Sequence, residues 1–300
     1  MSQDPREPNT TSPEDSVDSP GTLALGVAAN GDLRWAVVDL GGPLEDARRR
    51  LDLSPISAVA LGRSLAAAAL IQRFSSKSPS RLLVEVRGDG PLGKILAEVD
   101  SEGRLRGLVG DPRLATPDDG GLSIGWAVGQ GLLKVTREEA RGRYTSQVEL
   151  SSGEIGEDLV HFLEQSQQIR SAALLGVLPD SHGVKAAGGL LIEAFPGVPD
   201  EIVGQLEANI SRLPGIGSIL AQGGVEPLLE AVLEGFDREE LERHPLVYRC
   251  RCSVERLRES MMTLSKEDLD RITSSDGTCV AVCSFCGSEY HFERGELGIH

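Results

Sequence analysis

Aromatic side chains are scarce in this chain, making up 4% of its 300 residues. The core must therefore be assembled from Leu, Val, Ile and Ala, with few large rings to anchor it. Basic charge is also short: 30 Lys and Arg stand against 46 Asp and Glu, a formal net charge of −16. That balance argues against a general nucleic-acid binder, whose affinity comes from neutralising phosphates, and against docking on an anionic membrane. No apolar run approaches the roughly 20 residues of a membrane span. The opening MSQDPREPNTTSPEDSVDSP lacks both a basic and an apolar segment, so a secretory signal is not expected and a cytoplasmic protein is. A nucleophile elbow, Walker loop, dinucleotide fingerprint and HExxH motif are all missing, so no enzyme is expected. Gly88-Asp-Gly-Pro-Leu-Gly93 has the glycines of a phosphate loop but no Lys-Ser/Thr after it, and reads as a turn. Ser166-Gln-Gln168 has no obvious general base beside it and reads as a helix end.

What is present divides the chain into four parts. Residues 1–20 are rich in Pro, Ser, Asp and Glu without apolar periodicity, and a disordered tail is expected. From Leu23 the pattern alternates through Leu25 and Val27, then through Leu33, Trp35 and Val37, with Asn30-Gly31 between as a hairpin signal. Two helices are expected over 43–74, the second Ala-rich and starting at Ser54-Pro55. Strands are expected near 81–86, 94–99, 105–109, 131–135, 144–150, 172–178 and 184–195, with a helix over 155–167 whose Glu154, Glu157 and Asp158 suit its dipole. Strands adjoining in sequence and joined by tight turns predict an α+β domain over 21–198, built on a large, mostly antiparallel sheet with packed helices. Residues 199–245 predict a helical linker. Ile202, Leu206 and Ile210 mark one amphipathic helix; Leu228, Leu229, Val232 and Leu233 mark another, with Glu230, Glu234, Glu239, Glu240 and Glu242 nearby. Helices this short are marginal in water, so the linker is metastable and its folding depends on its neighbours.

The last part, 246–300, holds four of the five cysteines in two tight pairs. Cys250-Arg-Cys252 is followed, after a 30-residue spacer, by Cys283-Ser-Phe-Cys286. Four thiolates in two close pairs are what a tetrahedral soft-metal site requires, and Zn²⁺ is its commonest occupant. The same thiols can form two disulfides, and a protein doing both would be a redox switch. Between the pairs, Ser253 caps one expected helix and Ser265-Lys-Glu-Asp268 is a capping box for a second. Gly287 suits a knuckle that turns backbone N–H groups toward a sulfur. So small a module has a thin core, and bound zinc contributes on the order of 10–16 kcal/mol to the folding of such units. Cys279, the odd cysteine, reads as a buried strand residue, with a substitute ligand or a free thiol as alternatives. His244 and His291 flank the cluster and read as ordinary side chains; His300 reads as exposed. A zinc-ribbon regulatory or nucleic-acid-binding protein fits the spacing but not the acidic balance. A thiol–disulfide oxidoreductase would place Cys-x-x-Cys at the opening of a helix, whereas here it lies between strand-like segments.

The Cys-x-Cys, the spacer and the Cys-x-x-Cys together resemble the heat-shock protein 33 family of redox-regulated holdase chaperones. Upstream segments carry the resemblance further: Ser54-Pro-Ile-Ser-Ala-Val-Ala-Leu-Gly-Arg63, Gly88-Asp-Gly-Pro-Leu-Gly93, Arg106-Gly107, Glu154-Ile-Gly-Glu-Asp158, Ser166-Gln-Gln-Ile169, Ala187-Gly-Gly-Leu-Leu-Ile192 and Phe195-Pro-Gly197. It covers about residues 21–294; the acidic tail, Cys279 and Leu108 (commonly aromatic in the family) depart from it. The resemblance implies a reduced, inactive form with one Zn²⁺ on Cys250, Cys252, Cys283 and Cys286. It implies that oxidation pairs Cys250 with Cys252 and Cys283 with Cys286, releases the zinc, and unfolds the C-terminal module and the linker. The protein then dimerises and binds unfolding client proteins without ATP.

Overall fold

The computed structural model describes residues 19–75, 79–116, 123–168, 170–274 and 277–297. The expected disordered tail, apart from Ser19 and Pro20, and His300 lie outside the described residues. The chain divides into two compact units, one within residues 17–249 and one within 250–300.

The first unit opens with a hairpin, β1 (Gly21–Ala28) and β2 (Leu33–Asp39), turned through Asn30 in the left-handed region. Helices α1 (Gly41–Leu51) and α2 (Pro55–Ser75) follow, then a meander of β3 (Pro79–Gly88), β4 (Lys94–Asp100) and β5 (Arg104–Val109). A short helix α3 (Ile124–Val128), absent from the sequence reading, precedes β6 (Gly131–Glu139) and β7 (Gly142–Glu149). Then come α4 (Gly156–Gln167), β8 (Ser171–Asp180) and β9 (Gly183–Ala194), three helices α5 (Asp200–Ser211), α6 (Ile216–Gly223) and α7 (Val225–Val232), and a last strand β10 (Arg238–Tyr248). The strands form one ten-stranded sheet in the order β7-β6-β3-β4-β5-β10-β1-β2-β9-β8. All neighbours are antiparallel except β10 and β5, which meet in parallel through two residue pairs, Val247–Arg104 and Tyr248–Leu105. The architecture is α+β with one large mixed sheet.

Helix α2 lies against strands of both halves of this sheet, β3, β4 and β5 on one side and β2, β9 and β8 on the other, while α4 touches both edge strands, β7 and β8. The sheet thus curls about α2. A helix enclosed this way must be apolar all round, and Leu61, Leu65, Ala68, Leu70 and Ile71 are wholly buried. This corrects the reading of apolar runs: Pro55–Phe74 has the length and hydropathy of a membrane span, yet 89% of its most apolar stretch is buried inside the fold. Two segments singled out in the sequence help to hold this unit together. Asp158, wholly buried, accepts the backbone N–H groups of Ser151, Ser152, Gly153 and Ile155 and the hydroxyl of Ser151. Glu154 takes the guanidinium of Arg63 at 2.6 Å and the N–H of Gly125 at 2.9 Å. The glycine-rich Gly88–Gly93 segment is the turn between β3 and β4.

Over 199–245 the structure differs from the sequence reading in part. Helices occupy Asp200–Val232, but Arg238–Tyr248 is a strand inside the sheet rather than a continuation of helix. Glu239, Glu240 and Glu242 are strand residues paired with β1, and β10 is exposed from Arg238 through Arg243. Through Arg243 it lacks apolar alternation, and its place there is fixed by backbone pairing with a segment more than two hundred residues earlier, which no local pattern reveals. The three helices cover one face of β1, β2 and β9. Leu206, Ile219, Leu220, Val225, Leu228, Leu229, Val232 and Leu233 form with Ala24, Leu33, Trp35, Val37, Leu190 and Ile192 an apolar core separate from the one around α2. Helix α6 comes close to β8 at Gly176 and Gly217: a Cβ on Gly176 would lie 2.5 Å from the Gly217 nitrogen.

Candidate metal centre

The second unit is two helices and a hairpin. Ser253 caps α8 (Val254–Met261) by accepting the N–H of Arg256, and Ser265 caps α9 (Lys266–Ile272) by accepting that of Asp268. Strands β11 (Thr278–Val282) and β12 (Glu289–Glu293) pair antiparallel, Val282 opposite Glu289 and Ala281 opposite Tyr290. The hairpin loop is the Cys-x-x-Cys segment itself. The N–H groups of Cys286 and Gly287 bond the carbonyl of Cys283, that of Cys283 bonds the carbonyl of Ser288, and Gly287 sits at φ +72°, where a side chain would be strained. The turn aims backbone donors at sulfur: the N–H of Phe285 bonds Cys283, and that of Ser288 bonds Cys286. The Cys-x-Cys segment has no such scaffold, since residues 249–253 belong to no helix or strand.

The fold brings the four sulfurs of Cys250, Cys252, Cys283 and Cys286 within 4.8 Å of one another. Sγ of Cys250 is 3.6 Å from that of Cys283, and Sγ of Cys252 is 3.4 Å from that of Cys286. All are free thiols, far from the roughly 2.05 Å of a disulfide bond. Four ligands about 2.3 Å from a tetrahedral zinc ion would stand about 3.8 Å apart. The cluster fits that figure with small adjustments, and an all-sulfur donor set selects a soft cation.

Burial pushes the Cys252 thiol up to about 12. Cys283 is raised, chiefly through its hydrogen bond with Cys250, and Cys286 is lowered because Cys250 and Cys283 donate to its sulfur. A dication among them would favour the deprotonated form of every sulfur, because each must lose its proton to ligate. Tyr290, 7% exposed, directs its hydroxyl at Sγ of Cys252, 3.0 Å away. Burial raises this phenol above its ordinary range, so it stays a donor at neutral pH.

The remaining candidates stand apart. Cys279 is wholly buried on β11 opposite Phe292, outside the four-sulfur cluster, and burial raises its thiol. His291 is an exposed residue of β12 opposite Val280. His244 lies on β10 in the first unit, with Nε2 2.9 Å from Glu242. The sequence reading missed Tyr290 as a sulfur partner. The available signal was its position, an aromatic at an inward strand place four residues after the last cysteine of the cluster.

Comparison with known proteins agrees with this arrangement. A family model described as Hsp33 protein matches residues 22–293. A 33 kDa chaperonin of Thermus thermophilus is 40% identical over 291 residues, covering 92% of this chain and 85% of its own. That of Deinococcus radiodurans is 39% identical over 282 residues, covering 92% and 96%. The crystal structure of the 33 kDa chaperonin (heat shock protein 33 homolog) of Thermotoga maritima superposes with a TM-score of 0.85 at 32% identity, over 92% of this chain and 96% of that one. A match across nearly the whole chain, with a four-cysteine cluster near the C-terminus, places this protein in the Hsp33 family of chaperones.

Proposed function

We propose that this chain is a redox-gated holdase, binding unfolding proteins without ATP and switched by its sulfur cluster. The observation that carries the reading is the set of four unlinked sulfurs within 4.8 Å of one another. They can ligate together or pair off, but cannot do both. Zinc, when bound, would supply a tetrahedral anchor for Cys250, Cys252, Cys283 and Cys286 and much of the folding free energy of a unit whose α8 buries no residue. One ion per chain in the reduced state is the stoichiometry we infer.

Oxidation by a peroxide removes the ligands. One thiolate attacks the peroxide, forming S–O and breaking O–O, and the displaced oxygen leaves as water after taking a proton. The neighbouring thiol then attacks the sulfenic sulfur, forming S–S and releasing a second water. The pairing Cys250–Cys252 and Cys283–Cys286 is taken over from what the resemblance to the Hsp33 family implies, each disulfide closing one of the two tight pairs in the sequence. With the anchor gone, residues 250–300 have a thin core on which to stay folded. The linker is the part of the first unit that can follow. α6 and α7 have eight residues each, well below the roughly 12–15 that hold a helix alone in water. Their departure bares the apolar face carrying Leu33, Trp35, Val37, Leu190 and Ile192. A surface of that kind suits both apolar segments of unfolding clients and a second copy of this chain. Dimerisation on oxidation and a cytoplasmic setting, where such thiols start reduced, complete the reading.

The test is zinc content and suppression of client aggregation, measured on one sample before and after peroxide. Zinc loss together with newly gained holding is the expected result. Oxidised, zinc-free protein that holds no client, or zinc-loaded protein that holds equally well, would refute it.

A further inference from the structure

We propose that Tyr290 is a positioning residue of the sulfur cluster: its buried hydroxyl tethers Cys252 and restrains that sulfur's reaction with oxidant. The inference rests on the redox reading above for its consequence, though not for the contact itself. Cys283 and Cys286 take donors from the backbone of their own turn, at Phe285 and Ser288. Cys252 lies in a segment without regular structure, and its O–H donor comes from a side chain 38 residues away in sequence, on β12. The hairpin fixes that side chain: Tyr290 stands opposite Ala281, two residues before Cys283, and Phe292 opposite Cys279 packs the same inward face. One hydroxyl thus joins the Cys-x-Cys segment, which has no helix or strand, to the Cys-x-x-Cys hairpin.

The chemical effect follows from where the lone pairs go. A thiolate that accepts an O–H bond has less electron density to give to an electrophile. When Cys252 attacks a peroxide, its sulfur forms the S–O bond while O–O breaks, the leaving oxygen becomes water, and the hydrogen bond from Tyr290 must weaken as the sulfur loses negative charge. Cys250 or its thiolate then displaces water from the sulfenic sulfur to close the disulfide. The hydroxyl therefore opposes the first of these steps at Cys252 while holding that sulfur in place beside the other three.

Tyr290→Phe keeps the ring and removes the donor. In the cobalt-loaded protein, the sulfur-to-cobalt charge-transfer band is expected to move to longer wavelength, since a thiolate without its donor gives up charge more easily. Peroxide-driven zinc release should speed up on the order of tenfold, the scale by which such supporting contacts change metal affinity, and by more than zinc transfer to a chelator without oxidant. An unmoved cobalt band, or equal acceleration of both release rates, would overturn the proposal and leave Tyr290 a packing residue. In the unsubstituted protein loaded with ¹¹³Cd, the Tyr290 hydroxyl proton should exchange slowly and show coupling to cadmium through sulfur; a fast-exchanging, uncoupled proton also overturns it. If the unsubstituted protein keeps its zinc through peroxide, the redox reading fails, while the cobalt and cadmium spectra still decide the hydrogen bond.

Discussion

Replacing Leu228 by Ala should turn the reduced, zinc-loaded protein into a partial holdase. Leu228 lies in α7, wholly buried in the apolar core between the linker helices and the sheet. A buried Leu→Ala substitution costs about 2–5 kcal/mol, according to how far the surroundings collapse into the space. Eight residues of helix have little stability of their own to absorb that loss, so it falls mainly on the docking of α5–α7. At about 1.4 kcal/mol per factor of ten, the undocked population rises roughly thirty-fold to several-thousand-fold. Residues within α2 belong to the other core and should keep their protection. Hydrogen exchange with mass-spectrometric readout, on reduced and zinc-loaded samples, should show faster exchange over residues 200–233 and unchanged exchange over α2. The same samples should slow the aggregation of an unfolding client in proportion to the exposed population. Uniform acceleration across both cores would show that the linker does not undock separately. Faster exchange over 200–233 with no gain in holding would refute the assignment of this sheet face to clients.

Other consequences follow from the same contacts. Cys286→Ser removes one of the four clustered sulfurs and should lower zinc stoichiometry at micromolar metal, measured by metal analysis; zinc retention in the unsubstituted protein should weaken as pH falls, because protons compete for the thiolates. Asp158→Asn strips the charge from a buried acceptor of four backbone N–H groups, and the urea midpoint should drop by an amount equivalent to about 2–3 kcal/mol. Glu45 is held below the usual carboxylate range, first by its hydrogen bond from Arg48, against the opposing effect of burial, and further by the N–H of Val184. Its folded pKa lies under its unfolded value, so its contribution is present above the unfolded pKa and is lost as pH falls through the folded one. Glu45→Gln should therefore flatten the acid side of a stability-versus-pH profile from urea melts.

Much of this was legible in the chain itself. Alternation at period two marked β1 and β2, tight turns set off several of the strands that follow, Ser253 and Ser265 marked two helix starts, and Gly287 marked the knuckle, because each depends on residues a few places apart. The cysteine spacings singled out, in the same way, the four residues whose sulfurs the fold brings together. The tertiary structure decided three things. Strand β10 is charged and exposed over its first half, and only pairing with β1 makes it a strand. Helix α2 carries the composition of a membrane span, and only the sheet curled around it shows why. The hydroxyl of Tyr290 reaches Cys252 across 38 residues through a hairpin register. The division has one physical cause: periodicity and capping are local, whereas sheet neighbours and the donors around a sulfur are set by packing between distant segments.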